Sequence, residues 1–488
     1  MKRSVFFRWL IVGLALAGVI LFMFRPTSSN GPNVLLITLD TTRADHIGCY
    51  GATTARTPVL DRMAAEGILF ERAYTPVPLT LPSHATILTG LLPPEHGLRI
   101  NAVKSLDSGI PTLAEHFDQH GYRTSAFIAS YVLNSRFGLN RGFGYYNDDV
   151  TNGEKGEHGV HQLRSARQIV NASLDWLNSE GTSSDPFFCW VHIVDPHMPY
   201  QKHPKELGSD FAGNAYEAEI AFADQHLGRL IAWLEEHNKL ENTIIVIVGD
   251  HGEGLGEHGE TEHGYMVYES TMHVPLIFRI PGDMVADSRG KRINQVVSLV
   301  DLYPTIGDLA GLPITSSLEV SGQNLFAVGD TIASENDSPC VYGESEAPLL
   351  EAGWSPLQCV ISDQRKYIRT QRPELYDLAS DPKELNNLAE QHPEQLDRLE
   401  ERWKQLEAGL EPRNKPTENL TLRASELKAL ESLGYVGSGG NPLASVTRRD
   451  IKDVVQYPDM LEQSQGLISG GQLDEASAIL EDEVRINL

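Results

Sequence analysis

The stretch NVLLITLDTTRADHIGCYG, residues 33–51, decides the fold. Its first seven residues are an uncharged run rich in Val, Ile, Leu and Thr, suited to a strand buried on both faces. The run delivers Asp40 into a polar loop. Working outward, similar runs recur at 124–128, 187–194 and 243–248, the last reading TIIVIV. Helical patterns fall between them at 58–66, 82–89, 112–120, 216–237 and 299–309. This alternation predicts an α/β fold with a mostly parallel sheet sandwiched by helices. Three polar segments begin where strands end, at Asp40, Asp195 and Asp250. In open sheets of this kind that edge binds ligands.

Each chemistry-bearing segment has a structural and a functional reading. Asp40 followed by Thr-Thr is also a turn or N-cap signature. In PVPLTLPSHATILTG, residues 76–90, Pro82 is preorganised for a first helical turn, so Thr80 lies near a helix N-terminus. That end suits an anionic phosphoryl or sulfuryl group, although a threonine there can simply cap the helix. FFCWVHIVDPHMPY, residues 187–200, places Asp195, His197 and Tyr200 beyond an apolar strand. IIVIVGDHGEGLGEHGETEHGYMVYE, residues 244–269, sets Asp250 and His251 at a strand end and His258 and His263 in a glycine-rich loop. Imidazole and carboxylate together suit zinc or manganese better than magnesium.

LDTTRAD, the PSxxxxLTG core, DPHMPY, GDHGEGLGEHG and ELYDLASDPKELNNLA (374–389) occur in this order. The set resembles the sulfatases of the alkaline phosphatase superfamily, over roughly residues 33–408. The resemblance implies that Asp40, Asp250 and His251, with the nucleophile Thr80, bind a divalent metal. Zinc or manganese is favoured, calcium is a third option, and a second metal is left open. It places His197 and His263 where the family holds the transferring group, acts on the leaving group, or binds a second metal. Arg43, His84, Asp195 and His258 are weaker candidates.

Three departures shift the expected chemistry. Sulfatases begin the nucleophile motif with a cysteine or serine oxidised to formylglycine, and Thr80 cannot supply that aldehyde. Their arginine is His84 here, and their second acidic residue is Thr41. The pattern instead looks like the phosphoethanolamine transferases, whose nucleophile is threonine. The expectation is a metal-dependent ester hydrolase acting through a covalent Thr80 intermediate, with phosphoesters favoured over sulfate esters. The alternatives are a phosphoethanolamine-type transferase and an inactive scaffold that binds partners through its tail.

A net charge of −26, from 66 acidic and 40 basic residues, repels nucleic acid. The expected substrate is a small-molecule or envelope ester. Four cysteines, none in a CxxC pair, exclude a disulfide framework, leaving Cys340 and Cys359 as a pair only if strands bring them together. Lys2, Arg3 and Arg8 precede or flank an apolar run to Phe24, long enough from Val5 to span a bilayer. The expectation is a signal anchor with the catalytic part exported, the positive end staying cytoplasmic. Cleavage as a secretory signal is the second option.

The expected domains are an anchor and linker at 1–30, a catalytic α/β domain at 31–311 and a smaller antiparallel subdomain with helices at 312–436. A Gly/Ser linker follows at 437–455, then a helical hairpin at 456–488 that resembles one tetratricopeptide unit and could bind a protein partner. Solenoids need about three such units to bury their faces. The sequence therefore predicts that everything beyond Gly437 is dispensable for chemistry.

Overall fold

The computed structural model describes residues 31–150, 163–209, 211, 213–282, 284–285, 288–314, 320–327, 340–413, 420 and 448–456, with isolated positions between 464 and 479. Strands β1 (Asn33–Leu39), β2 (Ile68–Tyr74), β3 (Arg123–Phe127), β4 (Tyr145–Asn147), β5 (Phe187–Ile193), β6 (Thr243–Gly249), β7 (His273–Arg279) and β8 (Lys291–Ser298) form one sheet. Their order is β4-β3-β5-β1-β6-β7-β2-β8, and β7 alone among them runs antiparallel to its neighbours. The mostly parallel sheet covered by helices is as the sequence alternation predicts.

Period-two alternation in β1 explains the layers. Val34 and Leu36 face one core, which they share with Leu81, Ala85, Leu88, Phe117 and Ile306. Those partners come from α2 (Thr80–Thr89), α3 (Leu113–Gln119) and α6 (Leu302–Leu309), with α1 (Pro58–Glu66), α4 (Ala166–Trp176) and α5 (Ala215–Glu236) reserved for the other side. There Leu35, Ile37 and Leu39 pack with Leu60, Met63, Ile169, Phe222 and Leu230. Every residue of β1 is buried because both faces are covered.

Register positions the functional edge. Strand β1 lies between two parallel partners, with Leu39 level with Ile193 of β5 and Gly249 of β6. The next residue of β1 and the next of β6 are Asp40 and Asp250, so in-register pairing alone sets the two carboxylates side by side.

The second sheet, β12-β11-β10-β9, is wholly antiparallel and comprises β9 (Cys340–Ser345), β10 (Leu357–Ser362), β11 (Arg365–Arg369) and β12 (Glu374–Asp377). Helix α7 (Pro393–Gly409) covers it, burying Leu399 and Trp403 against Val360 and Tyr367. Lys366 of β11 is fully buried and ties the second sheet to the turn that leads into β7, with Nζ 3.2 Å from Glu269 and 2.9 Å from Glu384. The four cysteines are free thiols, and Cys340 sits opposite Ser362 rather than Cys359.

Two expectations at the chain ends meet different outcomes. The apolar run 5–24 lies outside the described residues, among which no helix is long and apolar enough to cross a membrane. Most of the expected hairpin at 456–488 also lies outside them. The distal part of the expected linker, however, is packed structure. Ile451, Val454 and Val455 are buried in a cluster with Tyr268, Leu357, Ile368 and Tyr376. Arg372 pairs with Asp450 and Asp453 at 3.2 and 2.7 Å, and Lys452 bonds the Arg372 carbonyl at 2.8 Å. Glycine and serine content identified a linker, but the apolar triplet three to seven residues after Arg448 carries its own burial energy.

Three buried aliphatic side chains contribute about 1.5–3 kcal/mol each. A chain ending at residue 437 should therefore unfold at least about 5 °C below one ending at residue 456. Differential scanning calorimetry of the two truncations checks this. Equal melting temperatures would show that the segment contributes no net stability.

Candidate active site

The carboxylates of Asp40 and Asp250 are each half satisfied. Asp40 Oδ2 is 3.1 Å from His192 Nε2 on β5. The Ala129 N–H donates to His192 Nδ1 at 3.3 Å, which leaves the imidazole proton on Nε2 to bond Asp40. Asp250 Oδ1 accepts the backbone N–H groups of Thr41 and His251 at 3.2 and 2.8 Å. The other oxygens, Asp40 Oδ1 and Asp250 Oδ2, are buried without a hydrogen-bond partner. His251 completes the arrangement. Its Nδ1 donates to the Gly252 carbonyl at 2.9 Å, so the lone pair on Nε2 faces Asp40 Oδ1 at 3.7 Å and Asp250 Oδ2 at 3.5 Å.

One ligand atom from each of Asp40, Asp250 and His251 lies within 4.8 Å of the other two. Two bare buried carboxylate oxygens facing a neutral imidazole lone pair form a donor set that fits a divalent cation. The electrostatics agree. Burial and the Asp40 charge push the Asp250 carboxyl well above the usual range, while burial drives His251 well below its ordinary value. Burial also opposes ionisation of Asp40, but the His192 hydrogen bond and neighbouring imidazoles hold it below the usual carboxylate range.

Thr80 is the first residue of α2 and is wholly buried, with Oγ1 3.2 Å from His251 Nε2. Leu79 occupies the cap position and has no side-chain cap bond; the Leu81 N–H is taken instead by Asn101 Oδ1 at 2.9 Å. His84, one turn along, fixes the Thr80 backbone. Its Nδ1 donates to the Thr80 carbonyl at 2.7 Å, and its Nε2 accepts from the Thr38 hydroxyl at 2.9 Å. Trp190 Nε1 donates to that hydroxyl at 3.0 Å, completing a relay. Burial and the neighbouring His192 bring the His84 imidazole down to about 3, so the ring beside Thr80 is neutral.

The remaining candidates separate. His263 lies beside the cluster, its ring 4.4 Å from that of His251 and 5.2 Å from that of His197. Although burial disfavours its charge, the Glu253 carboxylate raises His263 to about 9. His197 follows β5 and has Nδ1 2.7 Å from the Met198 carbonyl. Asp195 instead accepts the Ala166 N–H at 2.6 Å, at the start of α4. Arg43 braces the loop, bonding Asp45 and Glu257 at 2.9 Å and the Glu253 carbonyl at 3.2 Å. His258 is half-buried, stacked on Tyr268 at 3.6 Å and 3.1 Å from the Lys383 carbonyl.

Sequence reasoning missed His192, Asn101 and the backbone of Thr41. His192 sits inside an apolar strand and reads as a core histidine; only the register with Thr38 brings it to Asp40. Thr41 adopts left-handed backbone (φ 49°), unusual for a β-branched residue, which turns its N–H onto Asp250. Asp250→Asn should abolish metal binding, measured by elemental analysis, while leaving the metal-free protein at least as stable as the parent, since it removes carboxylate repulsion. His192→Ala should weaken metal affinity by about 10–100-fold. Unchanged metal content in Asp250→Asn would remove the cation from this site.

Comparison with known proteins identifies the family. A family model described as Sulfatase matches residues 32–312, and one described as N-sulphoglucosamine sulphohydrolase, C-terminal, matches residues 256–409. An arylsulfatase of Clostridium perfringens is 28% identical over 75% of this chain and 92% of its own. The human arylsulfatase K is 26% identical over 76% of this chain and 81% of its own. Among solved structures, one in complex with its substrate D-glucosamine-2-N,6-O-disulfate aligns with TM-score 0.66 and 22% identity, covering 79% of this chain and all of that one. The phosphonate monoester hydrolase of Agrobacterium radiobacter aligns with TM-score 0.60 and 21% identity over 80% of this chain and all of its own. The family is metal-dependent, and the chain belongs to the sulfatase family, as an ester hydrolase of the alkaline phosphatase superfamily.

Proposed function

We propose that the protein hydrolyses phosphoesters through a covalent intermediate on Thr80. The observation that carries this reading is the burial of the Thr80 hydroxyl at a helix start, 3.2 Å from His251 Nε2 and facing the Asp40, Asp250 and His251 cluster. Asp40, Asp250 and His251 would hold the divalent ion, for which zinc or manganese suits the mixed ligands better than magnesium. When bound, that ion supplies positive charge that lowers the pKa of a hydroxyl and neutralises substrate oxygens.

The chain's own groups account for the remaining tasks. His84 and Asn101 fix the first turn of α2, so the Thr80 hydroxyl is held in place for in-line attack. His263 and His197 approach the cluster from a second direction, where they stabilise developing charge and protonate the departing oxygen. Attack of Thr80 on phosphorus forms the threonine ester and expels the alcohol; water then cleaves the ester and regenerates the hydroxyl. A formylglycine hydrate can release sulfate by collapsing to its aldehyde, whereas a threonine ester has no such exit. This difference, with a neutral His84 where an arginine is usual, favours phosphorus over sulfur. The fold likeness to a phosphonate monoester hydrolase is compatible with phosphorus chemistry. The arylsulfatase relatives make the sulfate ester the natural rival substrate.

Thr80→Ala should lower turnover by at least about 10³-fold with metal content and melting temperature unchanged. On the metal-loaded parent, kcat/KM should be higher for an aryl phosphate mono- or diester than for the matching aryl sulfate. A preference for the sulfate ester would overturn the phosphoester assignment. Near-normal rates in Thr80→Ala beside a dead Ser83→Ala would overturn the nucleophile.

A further inference from the structure

We propose that Glu253 is a positioning residue that orients His263 and couples it to the loop carrying His197. Glu253 lies three residues after Asp250 and is fully buried. Its Oε1 is 2.9 Å from His263 Nδ1, and its Oε2 accepts the Tyr200 hydroxyl at 2.9 Å. Its backbone is tied at both ends: the N–H donates to the Ser270 carbonyl at 3.0 Å, and the carbonyl accepts from Arg43 Nη1 at 3.2 Å. One rigid carboxylate therefore spans two loops, each bearing an imidazole that faces the Asp40–Asp250–His251 cluster.

The chemistry of the contact fixes His263. A carboxylate accepts hydrogen bonds and does not donate them, so the Nδ1 atom must carry a proton. Nε2 is then the nitrogen at the far end of a ring whose tilt is set by Glu253, and the ring lies 4.4 Å from that of His251. Burying a carboxylate costs several kcal/mol unless both oxygens are partnered. An apolar or amide side chain would fill the same space at lower cost, so a carboxylate with one partner on each loop points to alignment rather than packing. A histidine held by a carboxylate through its other nitrogen is a recurring way of fixing tautomer and aim.

The proposal rests on His263 acting in the reaction. Its test is a double-mutant cycle on the full, metal-loaded chain, using whichever aryl ester, phosphate or sulfate, the parent turns over faster. Glu253→Gln should lower kcat by about 10–100-fold, with metal content and melting temperature close to the parent. In a His263→Ala background the same change should cost less than about threefold, because the residue it positions is gone. Should Glu253→Gln fail to fold, Tyr200→Phe, which releases one oxygen of the clamp, enters the cycle and should show the same dependence on His263. Losses that multiply in the double variant, or an unimpaired Glu253→Gln, overturn the positioning role. A fully active His263→Ala instead removes the His263 reading on which it stands, whatever Glu253→Gln does.

Discussion

Repulsion between two buried carboxylates is the constraint on which the site depends. Strands β1 and β6 run parallel and in register, so their next residues, Asp40 and Asp250, meet at the sheet edge inside the protein. Both are buried, and each keeps one oxygen without a protein hydrogen-bond partner. A low-dielectric interior magnifies such repulsion, and a divalent cation held by Asp40, Asp250 and His251 would convert it to attraction. The surrounding structure arranges the rest: His192 secures one carboxylate, Thr41 and His251 N–H groups secure the other, and the Gly252 carbonyl turns the His251 lone pair inward.

Under the proposed reading the nucleophile is Thr80, whose backbone is held by the buried, neutral imidazole of His84. That imidazole is locked between the Thr38 hydroxyl and the Thr80 carbonyl, so it contributes aim rather than charge. Among the groups beside the cluster, His263 carries positive charge, raised to about 9 by its Glu253 partner, and a metal held by the cluster would add to it.

Much of this was legible before any coordinates. Uninterrupted apolar runs revealed β1, β5 and β6, and the polar residues that follow them marked the functional edge. Strands β2 and β8 were not legible, because ILFERAY and KRINQVVS carry charged residues and lack a continuous apolar signature. Neither was β7, whose antiparallel placement follows from sheet order rather than composition. Within the site, His192 and Asn101 stayed hidden because each acts across long sequence separation, 152 residues to Asp40 and 20 to Leu81. The 448–455 segment was misread as linker because composition near the glycines outweighed three aliphatic residues that find a ready-made apolar surface.

Trapping the reaction intermediate tests the central claim most directly. The metal-loaded protein, mixed with an aryl phosphate, quenched in acid within one turnover and digested, is read by tandem mass spectrometry. The account predicts a phosphoryl group on Thr80 that is absent from protein stripped of metal. A phosphoryl group on Ser83 or another residue, or steady turnover with no covalent adduct at any time point, would contradict it.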